Sequence, residues 1–215
     1  MRTTFHEQLD SLTGQLADMC GLVADAMEKA TRALLSADLP LAEEVITQDA
    51  DIDALRMESE AQAYALLALQ APVASDLRSI VTQIHVSEKV ERMGDLARHV
   101  AEQTRRRHPQ PAIPADTRDR FAEMARLAVV TARQVQQLIT TGQARYTELN
   151  DADDLVDSIE RNLLASVSRN DWPHGVRAGI DVALLARFYE RFADQAVSIA
   201  RRLDYAVTGT LPSPN

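Results

Sequence analysis

Two carboxylate pairs are the residues of this sequence best placed to do chemistry. Glu91 and Asp95 are four residues apart, and Glu190 and Asp194 repeat that spacing 99 residues later. Residues at i and i+4 project from the same side of a helix, so each pair can offer two oxygen ligands to one cation. Oxygen ligands without a cysteine partner favour magnesium, manganese or iron over a thiolate-bound metal.

Four further aspartates have the same spacing on the predicted neighbouring helices: Asp49, Asp53, Asp153 and Asp157. At about 100° per residue, these aspartates lie at the borders of their apolar faces, where they can converge with a neighbouring helix. The Glu–Asp pairs lie opposite the apolar faces, so we expect them on the outside of each bundle. Gly94 and Ala193 each precede the aspartate of a pair, and their small size would allow another group to approach closely.

The elements that position these residues follow from the prolines, which break helix interiors and therefore mark connections. Between the prolines, apolar residues recur with helical periodicity, and the first stretch has a heptad seam from Phe5 to Ala33. This pattern predicts six helices, at residues 3–36, 40–70, 74–107, 116–141, 144–170 and 175–207.

The two halves of the chain resemble each other. The 99-residue shift also aligns Arg78 with Arg177, and a shift of 104 aligns Asp49 and Asp53 with Asp153 and Asp157. We therefore predict an all-α fold of two tandem antiparallel three-helix bundles. The predicted organisation is a first bundle at 1–108, a proline-rich linker acting as an extended spacer at 109–115, a second bundle at 116–207 and a flexible tail at 208–215.

Composition argues against nucleic-acid binding and against a membrane-spanning protein. The formal net charge of −9 argues against an extended nucleic-acid contact, which needs concentrated positive charge. The single cysteine, Cys20, excludes an intramolecular disulfide and favours the cytoplasm. No apolar segment is long enough to span a membrane, so we expect any membrane association to occur through a partner.

Particular segments resemble the PhoU family of phosphate-signalling proteins. The resemblance lies in Pro72–Arg78 followed by Glu91–Ala97, which reads Glu-Arg-Met-Gly-Asp-Leu-Ala. The second half repeats this pattern at Glu190–Ala196 as Glu-Arg-Phe-Ala-Asp-Gln-Ala. The resemblance extends over residues 3–207 and includes the tandem layout of three-helix units.

The resemblance implies a cytoplasmic regulator without enzymatic activity, a negative regulator of the phosphate regulon and of phosphate uptake. Such proteins are thought to connect the ATPase subunit of the phosphate ABC transporter to a sensor histidine kinase, and many are homodimers. The family binds multinuclear metal clusters at Glu/Asp-x-x-x-Asp motifs. Carried over, the leading metal ligands are Glu91, Asp95, Glu190 and Asp194, with Asp49, Asp53, Asp153 and Asp157 secondary.

Two arginines are weaker candidates for contact with a partner. Arg78 and Arg177 lie near predicted helix starts, where a cation is unfavourable to the helix dipole. They would either contact an acidic partner or form a local ion pair. Two other functions remain open, a ferritin-like di-metal oxidase and a metal-free helical scaffold. The oxidase needs Glu-x-x-His motifs, and no Glu in the chain has His three residues later.

Overall fold

The computed structural model describes residues 2–70, 72–142 and 146–210, and it confirms the all-α prediction. Within those ranges there are six α-helices and no strand: α1 Arg2–Ser36, α2 Leu39–Gln70, α3 Ala74–Arg107, α4 Arg118–Thr141, α5 Tyr146–Val167 and α6 Gly175–Thr208. A 3₁₀ turn at Ala115–Thr117 precedes α4. Helix α5 ends earlier than predicted, because Ser168–Trp172 forms a turn. The predicted tail overlaps the end of α6, and its residues 211–215 lie outside the described ranges.

Local chemistry sets several helix ends. The Asp38 carboxylate accepts a hydrogen bond of 3.0 Å from the backbone N–H of Leu41 at the start of α2. Pro40 occupies the first turn of that helix, where a backbone N–H would have no intrahelical acceptor, so the N–H that proline lacks is not needed. Gly142 ends α4 at a φ of 66°, a left-handed conformation that glycine adopts without a Cβ penalty.

The helices form two three-helix bundles packed side by side. Helices α1–α3 make the first bundle and α4–α6 make the second. Helix α1 packs against α4, and α3 packs against α6, so these four helices form the centre of the molecule. Helix α2 covers α1 and α3 on one flank, and α5 covers α6 and α4 on the other. Each bundle therefore has a groove between an outer and a central helix, α2/α3 in the first and α5/α6 in the second.

One continuous core holds the two bundles together. The predicted heptad seam of α1 is buried along its length, with Leu9 only partly so. Within the second bundle the Phe121 ring of α4 lies 5.9 Å from the Tyr189 ring of α6. The Tyr189 and Thr31 hydroxyls form a buried hydrogen bond of 2.6 Å between α6 and α1. This bond satisfies the polar ends of two residues that the apolar core would otherwise leave unpaired.

The proline-rich linker packs against this core. Ala112 and Ile113 are 5% and 4% exposed and belong to the same apolar cluster as both bundles. Burying these two side chains among the prolines removes apolar surface from water, which favours a packed connection. The proline density predicts an extended spacer, whereas Ala112 and Ile113 pack against the core. The domain boundaries at residues 108 and 116 stay a prediction.

Candidate functional site

The predicted carboxylates lie in the two grooves between outer and central helices. The first acidic cluster comprises Asp49 and Asp53 of α2 with Glu91 and Asp95 of α3. Burial, followed by the charges of Asp95 and Asp53, raises the pKa of Glu91. Burial also raises the pKa of Asp49, with further contributions from Asp53 and Asp95. The structure thus brings the α2 and α3 carboxylates close enough to interact electrostatically.

Gly94 allows α2 to approach α3 at this cluster. A Cβ at Gly94 would lie 3.1 Å from Ile52 Cδ1 and 3.5 Å from Asp49 Oδ1, so a larger side chain would require the Ile52 side chain to shift. The equivalent Ala193 of α6 is fully buried. The expectation that a small residue permits close approach is confirmed for Gly94, and the approaching groups are side chains of α2.

A guanidinium group neutralises much of the first acidic cluster. Arg98 of α3 forms ion pairs with Asp49 through Nε at 2.6 Å and with Asp95 through Nη2 at 2.5 Å. Its Nη1 donates to Glu102 Oε1 at 2.7 Å. Arg92 adds a longer contact of 3.3 Å to the other oxygen of Asp95. A single arginine therefore contacts three carboxylates, two of which belong to the predicted ligand set.

The second acidic cluster comprises Asp153 and Asp157 of α5 with Glu190 and Asp194 of α6. Glu190 is only 8% exposed, and its Oε1 accepts a hydrogen bond of 2.6 Å from Arg187. Among the described residues, Glu190 Oε2 and Asp153 Oδ1 are buried without a hydrogen-bond partner. The second cluster therefore keeps two buried carboxylate oxygens unsatisfied.

Three carboxylates of the second cluster have raised pKa values, because burial and neighbouring negative charges disfavour their ionised forms. Burial, followed by the charge of Asp194, raises the pKa of Glu190 to about 7. Burial, followed by Asp194 and Asp157, raises the pKa of Asp153 to about 6. Partial desolvation also raises the pKa of Asp194, although much of this residue reaches solvent, and the charge of Asp157 contributes next. Because burial and like charges both disfavour ionised carboxylates, a bound proton or cation would stabilise this cluster.

Comparison with known proteins connects this geometry to a family. A family model described as the PhoU domain matches the chain twice, at residues 16–104 and 121–203. This chain belongs to the PhoU family. One match lies in α1–α3 and the other in α4–α6, and each contains one of the acidic clusters.

Relatives in the PhoU family match nearly the whole chain. The phosphate-specific transport system accessory protein PhoU homolog 2 of Mycobacterium tuberculosis is 48% identical over 213 residues, 99% of this chain and 100% of that protein. PhoU homolog 1 of Mycobacterium leprae is 47% identical over 213 residues, 99% of this chain and 96% of that protein. The chain is thus similar over its length to proteins described as transport accessories.

Solved PhoU structures share the fold. The phosphate transport system regulatory protein PhoU of Streptococcus pneumoniae superposes with a TM-score of 0.85 at 24% identity, covering 98% of this chain and 100% of that chain. PhoU of Pseudomonas aeruginosa gives a TM-score of 0.84 at 24% identity, covering 96% and 100% respectively. These likenesses confirm the tandem arrangement of three-helix bundles.

Structure corrects one expectation about the PhoU carboxylates. Periodicity places Glu190 on the outside of its bundle, but Glu190 is buried because α5 covers that side of α6 and sets Glu160 nearby. Asp194 is exposed, as expected, and Glu91 and Asp95 are half-buried. A helical wheel shows how a side chain points relative to its own helix, and the covering helix then decides whether water reaches it.

Sequence reasoning missed Arg98 as a member of the first cluster. A detectable signal was present, because Arg98 follows Asp95 by three residues and therefore lies on the same side of α3. The 99-residue shift aligns Arg98 with Val197, so the two PhoU repeats differ at this position. The contact with Asp49 depends on the packing of α2 and has no comparable signal in the sequence.

The two clusters differ in how well they fit a metal ion. Within the described ranges, no three His, Cys, Asp or Glu side chains are arranged to hold a metal directly. Asp153 Oδ1 and Glu190 Oε2 are nevertheless unsatisfied carboxylate oxygens, the ligand type that a hard cation prefers, and Asp157 and Asp194 interact electrostatically with both residues. In the first cluster, Arg98 already contacts Asp49 and Asp95, so that arrangement does not fit a metal while the arginine stays.

The two arginines predicted to contact partners have different surroundings. Arg78 is half-buried, and its guanidinium lies against Gly209 at the C-terminal end of α6, where a cation complements the helix dipole. Arg177 is exposed in the first turn of α6 and lines a surface cavity of about 540 Å³ together with Arg106. The structure thus gives Arg78 a structural position and leaves Arg177 accessible. Partner contact by either residue stays a prediction.

Proposed function

We propose that this chain is a regulatory accessory protein of a phosphate-specific transport system, restraining phosphate uptake and the phosphate regulon when phosphate is plentiful. The observation that carries the proposal is the 48% identity over 213 residues to an accessory protein of such a system. The proposed partners are the ATPase subunit of the transporter and a phosphate-sensing histidine kinase. No helix in the described ranges is both long and apolar enough to cross a membrane.

In the same proposal, the chain regulates its partners by binding them. It acts in the cytoplasm as a non-enzymatic adapter and a homodimer, and it reaches the membrane through its partners. The continuous core supports this role because it holds both bundles in a fixed relation, as an adapter requires. Arg177 and Arg106 supply accessible positive charge for an acidic segment of a partner.

Metal binding forms the second part of the proposal. The four carboxylates of the second cluster bind a divalent or trivalent iron, manganese or magnesium ion, since Asp157 and Asp194 interact electrostatically with both Asp153 and Glu190. A bound cation would neutralise the second cluster and so remove the repulsion that an acidic partner would meet there. A metal-free scaffold would instead tolerate loss of these carboxylates, and a di-metal oxidase would consume oxygen when loaded with iron.

Deletion of the gene should release the phosphate regulon in cells grown with abundant phosphate. A regulon promoter fused to a reporter is measured in a strain that lacks any second PhoU-family gene. We expect reporter output to rise toward the level of phosphate-starved cells and to fall again when the wild-type chain is restored. Unchanged output after deletion would contradict the regulatory proposal.

Complementation with charge-reversed variants tests the proposed contact surface in the same strain. Arg177→Glu should restore repression poorly, because it reverses the charge at the cavity. Arg32→Glu is the matched control, since Arg32 is an exposed arginine of α1 that does not line this cavity. Equal repression by the two variants at equal protein levels would remove Arg177 from the contact surface.

A further inference from the structure

The two repeats place different side chains at one position beside their acidic clusters. In the first repeat this position is Arg98, and in the second it is Val197, which is 4% exposed. Valine cannot supply charge or hydrogen bonds to carboxylates. A sequence repeat that preserves the Glu–Asp pairs therefore does not preserve the electrostatic environment around them.

Arg98 occupies the first cluster in the way that a cation would. Its guanidinium contacts Asp49 from α2 and Asp95 from α3, at 2.6 Å and 2.5 Å, and so connects the two helices that form the groove. The three side chains are 27%, 14% and 19% exposed, so water screens these contacts less than it would at an open surface. The hydrogen bond to Glu102 holds the same guanidinium from a third side.

A metal ion would meet direct competition at that position. Binding through Asp49 and Asp95 requires that Arg98 leave both carboxylates, or that two cations share the same oxygens. The first course loses the charge-assisted hydrogen bond to Asp95 and the ion pair with Asp49, and the second places like charges together. Arg98 therefore neutralises the Asp49 and Asp95 carboxylates of the first cluster without a metal ion.

The arginines near the second cluster neutralise its negative charge less completely than Arg98 neutralises that of the first cluster. Arg187 donates to Glu190 Oε1 but remains 56% exposed, and Glu190 Oε2 is buried without a hydrogen-bond partner among the described residues. Arg201 lowers the pKa values of Asp153 and Asp194, and Arg187 and Arg191 also lower that of Asp194, but burial and the neighbouring carboxylates raise both pKa values. Glu190 is more than nine-tenths buried, and its free oxygen gives a cation a ligand that water reaches poorly.

We propose that Arg98 takes the place of a metal ion in the first acidic cluster, so that a metal-loaded chain carries its metal at the second cluster. The inference rests on the proposed metal binding and extends it by assigning different roles to the two repeats. The first cluster joins α2 to α3 through an arginine, and the second joins α5 to α6 through a metal. Metal availability then affects one half of the adapter only.

Metal counting with the full-length chain tests the assignment. Purified protein is stripped with a chelator and dialysed against Mn²⁺, and bound manganese per chain is measured by mass spectrometry. A double variant of the wild-type chain, Asp153→Asn with Glu190→Gln, should bind no manganese. The double variant Asp49→Asn with Asp95→Asn should bind as much manganese as the wild type. Circular dichroism verifies that each variant remains helical.

Removing the arginine should open the first cluster. Arg98→Val reproduces the residue of the second repeat, and we expect bound manganese per chain to rise about twofold, with the added metal lost when Asp49→Asn and Asp95→Asn are introduced. Arg126→Val is the matched control, because Arg126 pairs with Glu123 on the surface of α4. Wild-type manganese lost through the first-cluster variants, or no gain from Arg98→Val, would overturn the inference.

Failure of the two proposals gives different results. If the wild type and Arg98→Val both bind no manganese, magnesium or iron, then metal binding itself is refuted and the inference falls with it. If the wild type binds metal equally at both clusters, metal binding stands and the role of Arg98 is refuted. The regulatory proposal is tested separately by the reporter strain.

Discussion

Replacing Phe121 with alanine should destabilise the whole chain by about 3–5 kcal/mol, the usual cost of removing a fully buried phenylalanine. Phe121 is completely buried in α4 and lies 5.9 Å from the ring of Tyr189, whose hydroxyl forms a hydrogen bond with Thr31 of the first bundle. Its removal leaves a cavity in a core that α1 and α3 share with α4 and α6. We therefore expect both repeats to lose stability together.

Urea unfolding followed by two probes measures this effect. Far-UV circular dichroism reports all helices, and the fluorescence of Trp172 reports the connection between α5 and α6. The two curves should coincide in the wild type and in Phe121→Ala, with the variant midpoint shifted to lower urea. Val130→Ala, at a site 38% exposed on the same helix, should change stability by less than about 0.5 kcal/mol.

Separate transitions for the two probes would contradict the continuous-core account. Such a result would mean that the bundles unfold independently and that the core contacts between them contribute little. A Phe121→Ala variant that lowered only the Trp172 transition would have the same meaning.

Asp181→Ala should be the most damaging change to a polar residue, at about 3–5 kcal/mol. Asp181 is 5% exposed in α6 and accepts a hydrogen bond of 2.5 Å from the Gln103 side chain of α3. It also forms an ion pair with Arg107, whose side chain is 14% exposed. Truncation would leave a guanidinium and an amide without this acceptor at the junction of the two bundles.

Comparison of three variants in chemical denaturation separates charge from hydrogen bonding. Asp181→Asn keeps an oxygen for Gln103 and should lose less stability than Asp181→Ala. Asp171→Ala is the matched control, because Asp171 pairs with Arg169 at an exposed site, where an ion pair contributes about 0–1 kcal/mol. A loss below 1 kcal/mol for Asp181→Ala would show that the buried pair is dispensable.

Much of the fold follows from local patterns in the sequence. Prolines and apolar periodicity define six helices, because both act within a single stretch of chain. The heptad seam from Phe5 to Ala33 identifies the buried side of α1. The repeated Glu–Asp pairs reveal the tandem architecture, since they mark equivalent helices of two related units.

The remaining features depend on contacts between helices. Arg98 reaches Asp49 because α2 packs closely over Gly94, and neither the distance nor the pairing is present in the periodicity of α3. Glu190 is buried because α5 covers it, although its own helix presents it away from the apolar side. Ala112 and Ile113 pack on the core even though the surrounding prolines indicate a spacer.

The proposed regulatory role requires that this chain associate with the ATPase subunit of a phosphate transporter. The most direct measurement is affinity capture of the tagged full-length chain from its native cells, grown in high and then low phosphate, with mild crosslinking and quantitative mass spectrometry. We expect the transporter ATPase subunit to be enriched over an untagged control in high phosphate. Absence of that subunit under both conditions would refute the proposed association.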